Sequence, residues 1–377
     1  MYCWLRLKAG TGKSTLVKFI IAALGLNPEE DVFYCTFTGK AATVLRHKGC
    51  PNAMTAHKLL YFSKRLANGK FIFSPRPSLE GSPRLIVVDE ISMLPKELWE
   101  LLLKHRVHVI ACGDPEQLPP VRKDSDNHVL DEPHIFLDEI MRQAEESEII
   151  RLTMAIREGM LIEPYKGTEV QVIEEADLVD GMYHWADQIL VATNRKRHEI
   201  NSFMRAALGH TSKEPEVGDK LICCRNAWDT MDTTGEISLV NGTIGYIEKI
   251  EKDILNYRIY GVPAVPIYRI DLRTEDGELF ANLPVDRETI NNGTTFLTPQ
   301  QEYKVAQRIK HMIDDNLNMV IPLEFNYGYA ITVHRAQGSE WEKVLVIEES
   351  FPFDKAEHRK HLYTACTRPS EKLVLVR

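Results

Sequence analysis

The sequence predicts an α/β fold built on parallel sheets, and three observations carry that expectation. Short, largely apolar runs at 32–37, 85–88 and 107–112 read as strands covered on both faces. Helical patterns at 14–24 and 95–105 alternate with them, the order of βαβ units. A Gly-rich loop falls between the first apolar run, 1–7, and the first helix. At 377 residues the chain exceeds one ordinary core, so two or three domains are expected.

A second alternating unit starts near Glu146. A helix over 149–157 leads to a strand over 188–192, and Thr193 and Asn194 offer caps for the helix that follows. From 235 to 322 the texture turns β-rich, with Gly242, Gly245, Gly261 and Gly277 as turn markers and alternation over 267–272. The α/β pattern resumes at 329–333 and closes on an apolar strand at 373–376. Residues 62–83 break the first unit's rhythm and read as a protruding β-hairpin. The expected division is 1–150 carrying the hairpin, then 151–234 with 323–377, and a small β-rich insertion at 235–322.

Bulk properties narrow the class. Hydrophobic content of 44% and charged content of 27% are those of a soluble globular chain, and no apolar run approaches a membrane span. Seven scattered cysteines without C-x-x-C spacing, and no visible signal peptide, point to reduced thiols in the cytoplasm. A net charge of −8 lacks the basic footprint common to nucleic-acid binders. A local groove of Lys and Arg can still hold a phosphate backbone on an acidic protein.

Ala9-Gly10-Thr11-Gly12-Lys13-Ser14-Thr15 reads as a phosphate-binding loop. Its glycines let successive N–H groups turn inward, Lys13 reaches the outer phosphates, and the Ser14 hydroxyl suits Mg²⁺. Asp89-Glu90 close an apolar strand, with Asp89 placed for the metal's water shell and Glu90 for the attacking water. An isolated acidic pair there serves equally well as a helix cap; the upstream loop favours chemistry. Gln117, in Gly113-Asp114-Pro115-Glu116-Gln117, is placed to sense a γ-phosphate. Arg142 and Arg368 are candidates to reach that phosphate from a neighbouring domain. A single arginine is more often a surface ion pair, so these two rest on their surroundings. The run Arg195-Lys196-Arg197-His198 reads as backbone-binding charge or as a solvated helix face.

Taken in order, the loop 9–15, Phe37-Thr38-Gly39-Lys40-Ala41-Ala42, Thr55-Ala56-His57, Val88-Asp89-Glu90, the 113–120 stretch, Arg142-Gln143, Val333-His334-Arg335-Ala336-Gln337-Gly338-Ser339-Glu340 and Tyr363-Thr364-Ala365-Cys366-Thr367-Arg368 resemble a superfamily 1 helicase of the RecD/Dda type, superfamily 1B. The resemblance implies two RecA-like parallel-sheet domains, a β-hairpin pin and an SH3-like insertion, which Asn241-Gly242-Thr243-Ile244-Gly245 resembles at its start. It implies ATP and Mg²⁺ as cofactors, and 5′→3′ translocation on single-stranded DNA with unwinding of a duplex fork in replication, repair or recombination. By the same resemblance Ala9 to Thr15, Gly338 and Glu340 line the nucleotide, while Lys13, Glu90, Gln117, Arg142 and Arg368 act in hydrolysis. Thr38, Thr55, His57, Thr332 and His334 line the DNA path, as hydroxyls and imidazoles can hold phosphates without reading bases. Phe71 and Phe73 of the hairpin then stack on a base at the fork, or close a satellite core. A monomer working with replication or repair proteins, away from membranes, is the expected form.

Two departures stand out. Leu7 replaces the glycine that opens the usual loop, and should strain a turn favouring glycine's range. The adenine-gripping glutamine segment ahead of the loop is missing, which reads as an N-terminally truncated copy or as lost adenine recognition. The alternatives are a nucleic-acid-binding module with impaired ATPase and a P-loop phosphotransferase acting on a small acceptor.

Overall fold

The computed structural model describes residues 2–7, 13–65, 71–119, 129, 131–137, 146–235, 237–311, 320–352 and 354–377. Its strands and helices fall into two compact units, one of 1–60, 75–200 and 330–377, the other of 61–74 and 201–329.

The first unit opens with β1 (Tyr2–Leu7), α1 (Lys13–Ala23), β2 (Val32–Thr36), α2 (Gly39–His47), β3 (Ala53–Thr55) and α3 (Ala56–Leu60). After the hairpin strands β4 (Tyr61–Arg65) and β5 (Phe71–Pro75), which belong to the other unit, it continues with β6 (Leu85–Val88), α4 (Lys96–Lys104), β7 (His108–Gly113) and β8 (Ile135–Leu137). These strands pair in parallel in the order β3-β2-β6-β7-β1-β8. The apolar run of β6 is buried at every position, as a central parallel strand requires. In α4, Leu98, Trp99 and Leu102 recur at helical spacing and turn inward, with Glu97 in the first turn and Lys104 in the last suiting the helix dipole. Leu5, Val17, Ile21, Val32, Val87 and Ile110 pack into a core between this sheet and α1.

A second sheet lies within the same unit. Its elements are α5 (Glu148–Glu158), β9 (Tyr165–Lys166), β10 (Val170–Ile173), α6 (Asp180–Trp185), β11 (Gln188–Val191) and the start of α7 (Asn194–Ala207). The other unit then holds β12 (Lys220–Cys223), β13 (Ala227–Met231), β14 (Ser238–Leu239), β15 (Ile244–Leu255), β16 (Val265–Thr274), β17 (Leu279–Asp286), α8 (Arg287–Asn292), α9 (Pro299–His311) and β18 (Phe325–Tyr327). The chain returns to the first unit as β19 (Ala330–Thr332), α10 (Val333–Ala336), β20 (Trp341–Ile347), α11 (Lys355–Cys366) and β21 (Pro369–Val376). The second sheet runs β19-β11-β20-β21-β10-β9, parallel except for the edge strand β9. Two parallel α/β sheets, each with its strand C-termini leading to the expected motifs, are the fold class the sequence predicts.

The other unit is built on an antiparallel sheet, β17-β16-β15-β12-β18, around Leu221, Ile247, Tyr268, Ile270, Phe280 and Phe325. Along β16 burial alternates over most of its length, matching the half-buried pattern at 267–272. The sheet recruits β12 and β18, which lie outside 235–322. The four residues of β12 are all buried, so its sequence has no alternation to distinguish it from a parallel strand. The hairpin β4–β5 is present, shorter than 62–83. Among the described residues no helix is long and apolar enough to cross a membrane, and the cysteines are free.

Leu7 is a correction. It is the last residue of β1, paired with Leu137, so it sits in extended backbone that any residue adopts and not in the turn. The strain expected of it does not arise. A tighter constraint falls on Gly245 in β15, where a Cβ would come within 2.5 Å of the Arg273 carbonyl oxygen and 2.9 Å of Leu272 Cγ. Gly245→Ala should therefore destabilise the β-rich unit by about 1–3 kcal/mol. Urea unfolding followed by tryptophan fluorescence checks it, and an unchanged midpoint would contradict the packing described.

Candidate functional site

The candidate residues of the first sheet gather where its strands end. In open α/β sheets ligands bind beyond the carboxyl ends of the strands. Here Leu7 of β1 leads within five residues to α1, Thr36 of β2 to Thr38, Val88 of β6 to Asp89, and Gly113 of β7 to Gln117. Strand, Gly-rich loop and helix N-terminus is the context a phosphate loop needs. Ala9, Gly10, Thr11 and Gly12 lie outside the described residues, as does Arg142. Lys13, Ser14 and Thr15 form the first turn of α1, described in backbone only.

Asp89 is fixed by its N–H donating to the Cys35 carbonyl at 2.9 Å, and its Oδ1 accepts from the Glu90 N–H at 2.9 Å. Glu90 has φ of 50°, in the left-handed region that non-glycine residues seldom enter. It stands at the N-cap position of the short turn Ile91–Met93, and its side chain makes no cap bond there. A cavity of about 260 Å³ borders Asp89, but Val17, Leu45, Val87 and Cys112 make its lining mainly apolar and unsuited to phosphates.

Arg368 comes to Glu90 from the second sheet. It is buried at the end of α11, with Nε donating to Thr364 O at 3.0 Å, Nη2 to Thr367 Oγ1 at 3.0 Å and Nη1 to Ser339 O at 3.4 Å. Its Nη1 lies 3.8 Å from Glu90 Oε1. Three neutral acceptors orient the guanidinium, and the remaining charge faces the carboxylate.

Gln117 is half-buried, in a turn where its N–H donates to Asp114 O and Asp114 Oδ1 accepts from the Glu116 N–H. Sequence reasoning missed what holds this turn. Asp114, 5% exposed, receives two bonds from Arg157 Nη1, both 2.9 Å, and one from the Tyr363 hydroxyl at 2.5 Å. Burial, then the Asp114 carboxylate, push the Tyr363 phenol far above its ordinary value, so it stays a donor. The one available signal was an arginine beside the buried positions Thr153 and Ile156 of α5.

The expected DNA-path residues divide. Thr38 caps α2 through Ala41 N–H, and Thr55, buried, accepts from Lys58 N–H in α3. Both hydroxyls thus serve local caps. His57 is half-buried on α3 with its ring 6.2 Å from Phe37, and His334 is half-buried on α10 with its ring 6.0 Å from His361. Burial lowers the pKa of both imidazoles, favouring neutral rings that bind by hydrogen bonds more than by charge. Thr332 is half-buried and leaves its hydroxyl out of any cap bond to α10. Phe71 and Phe73 lie on β5, described in backbone only. In the basic run, Arg197 is buried, so that face of α7 is not simply solvated.

Gly338 and Glu340 reach the first sheet differently from each other. Gly338 has φ of 77°, and a Cβ there would lie 2.7 Å from Ala41 Cβ and 2.9 Å from Thr38 Oγ1, so the loop seats directly on the start of α2. Glu340 pairs with Lys48 at 3.0 Å at the end of α2, both half-exposed. The structure thus joins Gly338 to Thr38, and Arg368 to Glu90.

Residues 2–181 match the family described as AAA domain, and 327–376 the UvrD-like helicase C-terminal domain. The two matches cover the two halves of the site in the order the motifs run. The chain is similar to superfamily 1 helicases of the RecD/Dda type. It is 28% identical over 383 residues to the ATP-dependent RecD2 DNA helicase of Deinococcus radiodurans, covering 96% of this chain and 45% of that protein. It is 24% identical over 293 residues to the ATP-dependent DNA helicase dda of Enterobacteria phage T4, covering 69% of this chain and 66% of that one. The chain therefore spans about half of the first relative and two thirds of the second. In fold it is similar to a Pif1 helicase from Bacteroides in complex with ADP-AlF3 and single-stranded DNA, with a TM-score of 0.56 at 16% identity over 99% of this chain and 88% of that one. Pif1 from Candida albicans gives 0.54 at 17%, over 100% and 91%.

His361, behind His334, carries a distinct liability. It is 5% exposed and its Nε2 has no hydrogen-bond partner. Burial, with His334 and His358 adding to it, pushes its pKa down to about 3. A histidine depressed below its unfolded value of about 6.5 contributes full stability above that pH and loses it as pH falls through 6.5, by at most about 1.4 kcal/mol per pH unit. His361→Leu should remove that term, so its stability advantage over the wild type should widen from pH 7 to pH 5. Parallel slopes in urea titrations at the two pH values would contradict the assignment.

Proposed function

We propose that the chain is an ATP-driven motor on single-stranded DNA, moving 5′→3′ and unwinding a duplex fork. The observation that carries this reading is the 3.8 Å approach of Arg368, from the second sheet, to Glu90 of the first. An arginine presented across a domain boundary to a general base makes hydrolysis depend on both sheets being in register. In this reading 1–150 and 151–234 with 323–377 are the two RecA-like domains, 62–83 is the pin and 235–322 an SH3-like insertion. Similarity to ATP-dependent DNA helicases supports the activity class, and the fold likeness supports the two-sheet frame.

The chain's residues divide the work. The backbone of 9–12, Lys13 and the helix N-terminus would hold the triphosphate, with Thr15, Gly338 and Glu340 beside it. Ser14 and Asp89 would hold Mg²⁺: one hydroxyl and one carboxylate fit a hard cation that takes its other ligands from phosphate and water. The ion supplies charge neutralisation across the phosphates. Glu90 takes the proton from the attacking water, whose oxygen bonds to the γ-phosphorus as the bond to the bridging oxygen breaks. Gln117 orients that water and the γ-phosphate, and Arg142 and Arg368 stabilise the charge that develops. His57, Thr332 and His334 would contact the strand, Thr38 and Thr55 would set the helix starts that line its path, and Phe71 and Phe73 would stack at the fork.

ATP turnover should rise on adding single-stranded DNA. Lys13→Ala or chelation of Mg²⁺ should abolish it, and Arg368→Ala should lower kcat by roughly 10³-fold or more. A steady-state ATPase assay with and without oligo-dT checks all three. Turnover indifferent to DNA, or surviving Lys13→Ala, would count decisively against the motor.

A further inference from the structure

The turn 113–119 carries Gln117, yet side chains from beyond the first sheet determine where it sits. At its start Arg157 and Tyr363 clasp Asp114, and Lys360 Nζ donates to Pro115 O at 2.8 Å. Immediately after Gln117, the Leu118 N–H donates to Thr364 Oγ1 at 3.0 Å and the Leu118 carbonyl accepts from Gln337 Nε2 at 3.1 Å. Both backbone polar groups of Leu118 are therefore taken by residues of the second sheet's helices and loops. Thr364 is fully buried, Gln337 is 4% exposed and Leu118 5%, so water does not compete for these bonds.

The gripping residues come from two places with other duties. Gln337 follows α10, which carries His334, and that helix starts directly after Thr332. Thr364 and Tyr363 lie on α11, one turn before Arg368, and the Thr364 carbonyl itself holds Arg368 Nε. A shift of α10 would pull on the Leu118 carbonyl and move Gln117 with it. A shift of α11 would move the Leu118 N–H and Arg368 together.

Resting on the motor reading above, we propose that Gln337, Thr364 and the Asp114–Arg157–Tyr363 cluster form a coupling joint that transmits DNA occupancy at the second sheet to Gln117 and Glu90. They are assigned as positioning residues, because their polar atoms bond to the 113–119 turn. The joint concerns DNA stimulation more than nucleotide affinity, so its loss should separate the two.

The test compares near-isosteric variants by steady-state ATPase with and without oligo-dT. Thr364→Val removes the acceptor for Leu118, Gln337→Met the donor, and Tyr363→Phe one bond to Asp114. Each should lower the ratio of DNA-stimulated to DNA-free turnover by about tenfold while the KM for ATP stays unchanged. Thr364→Ser, which keeps the hydroxyl, should restore the ratio. A melting curve for each variant identifies any that fail to fold; the Val and Ser pair at 364 keeps the comparison decisive. Folded variants with the wild-type ratio, or a Ser variant no better than Val, would overturn the joint while leaving the motor standing. A wild type that DNA does not stimulate would overturn both.

Discussion

The arrangement depends on one buried ion pair and its hydroxyl partner. Arg157 and Asp114 are almost wholly removed from water, and Tyr363 completes the carboxylate's coordination. Burying two charges costs desolvation energy that only close geometry and extra hydrogen bonds offset, and removing either partner alone would leave an uncompensated charge. Such a cluster does little for net stability and much for position. It joins the end of β7 to α5 and α11, and so sets the first sheet's strand ends against the second sheet. Gly338 on α2, Glu340 with Lys48, Lys360 on Pro115, Thr364 and Gln337 on Leu118, and Arg368 near Glu90 fall within that frame.

Within the frame, the acid pair shows how local backbone and distant charge combine. Glu90 adopts a left-handed φ that costs a residue with a Cβ about 1 kcal/mol or more, and the Asp89 carboxylate accepting its N–H helps hold it there. The result turns Glu90 out of the strand direction and towards Arg368. Arg368 is oriented before any charge reaches it, because Thr364, Thr367 and Ser339 occupy its other donors. A guanidinium held in place in this way need not reorganise when charge develops nearby, the condition under which electrostatic stabilisation is largest.

Much of this was legible in the sequence, and the failures have physical causes. The buried runs of β2, β6 and β7, the helix after the Gly-rich loop and the acidic pair at a strand end are local patterns, and local pattern finds them. The strand β12 was missed because full burial on both faces erases the alternation that marks an antiparallel strand. Leu7 misled because a pattern position was read as a turn position, when the strand extends to it. The Asp114 cluster was invisible for a different reason. Its members are 43 and 249 residues apart, and a buried polar contact at such separation has no periodicity. Only the arginine on the inward side of α5 hinted at it.

In the proposed motor, Glu90 and Arg368, on different sheets, act on one hydrolytic event. A double-mutant cycle on DNA-stimulated ATP turnover tests it directly, using Glu90→Gln, Arg368→Ala and the double variant. Residues that act as a unit are strongly non-additive. The double variant should be little slower than the slower single one. Losses that multiply would mean that the two residues contribute independently, and would contradict it.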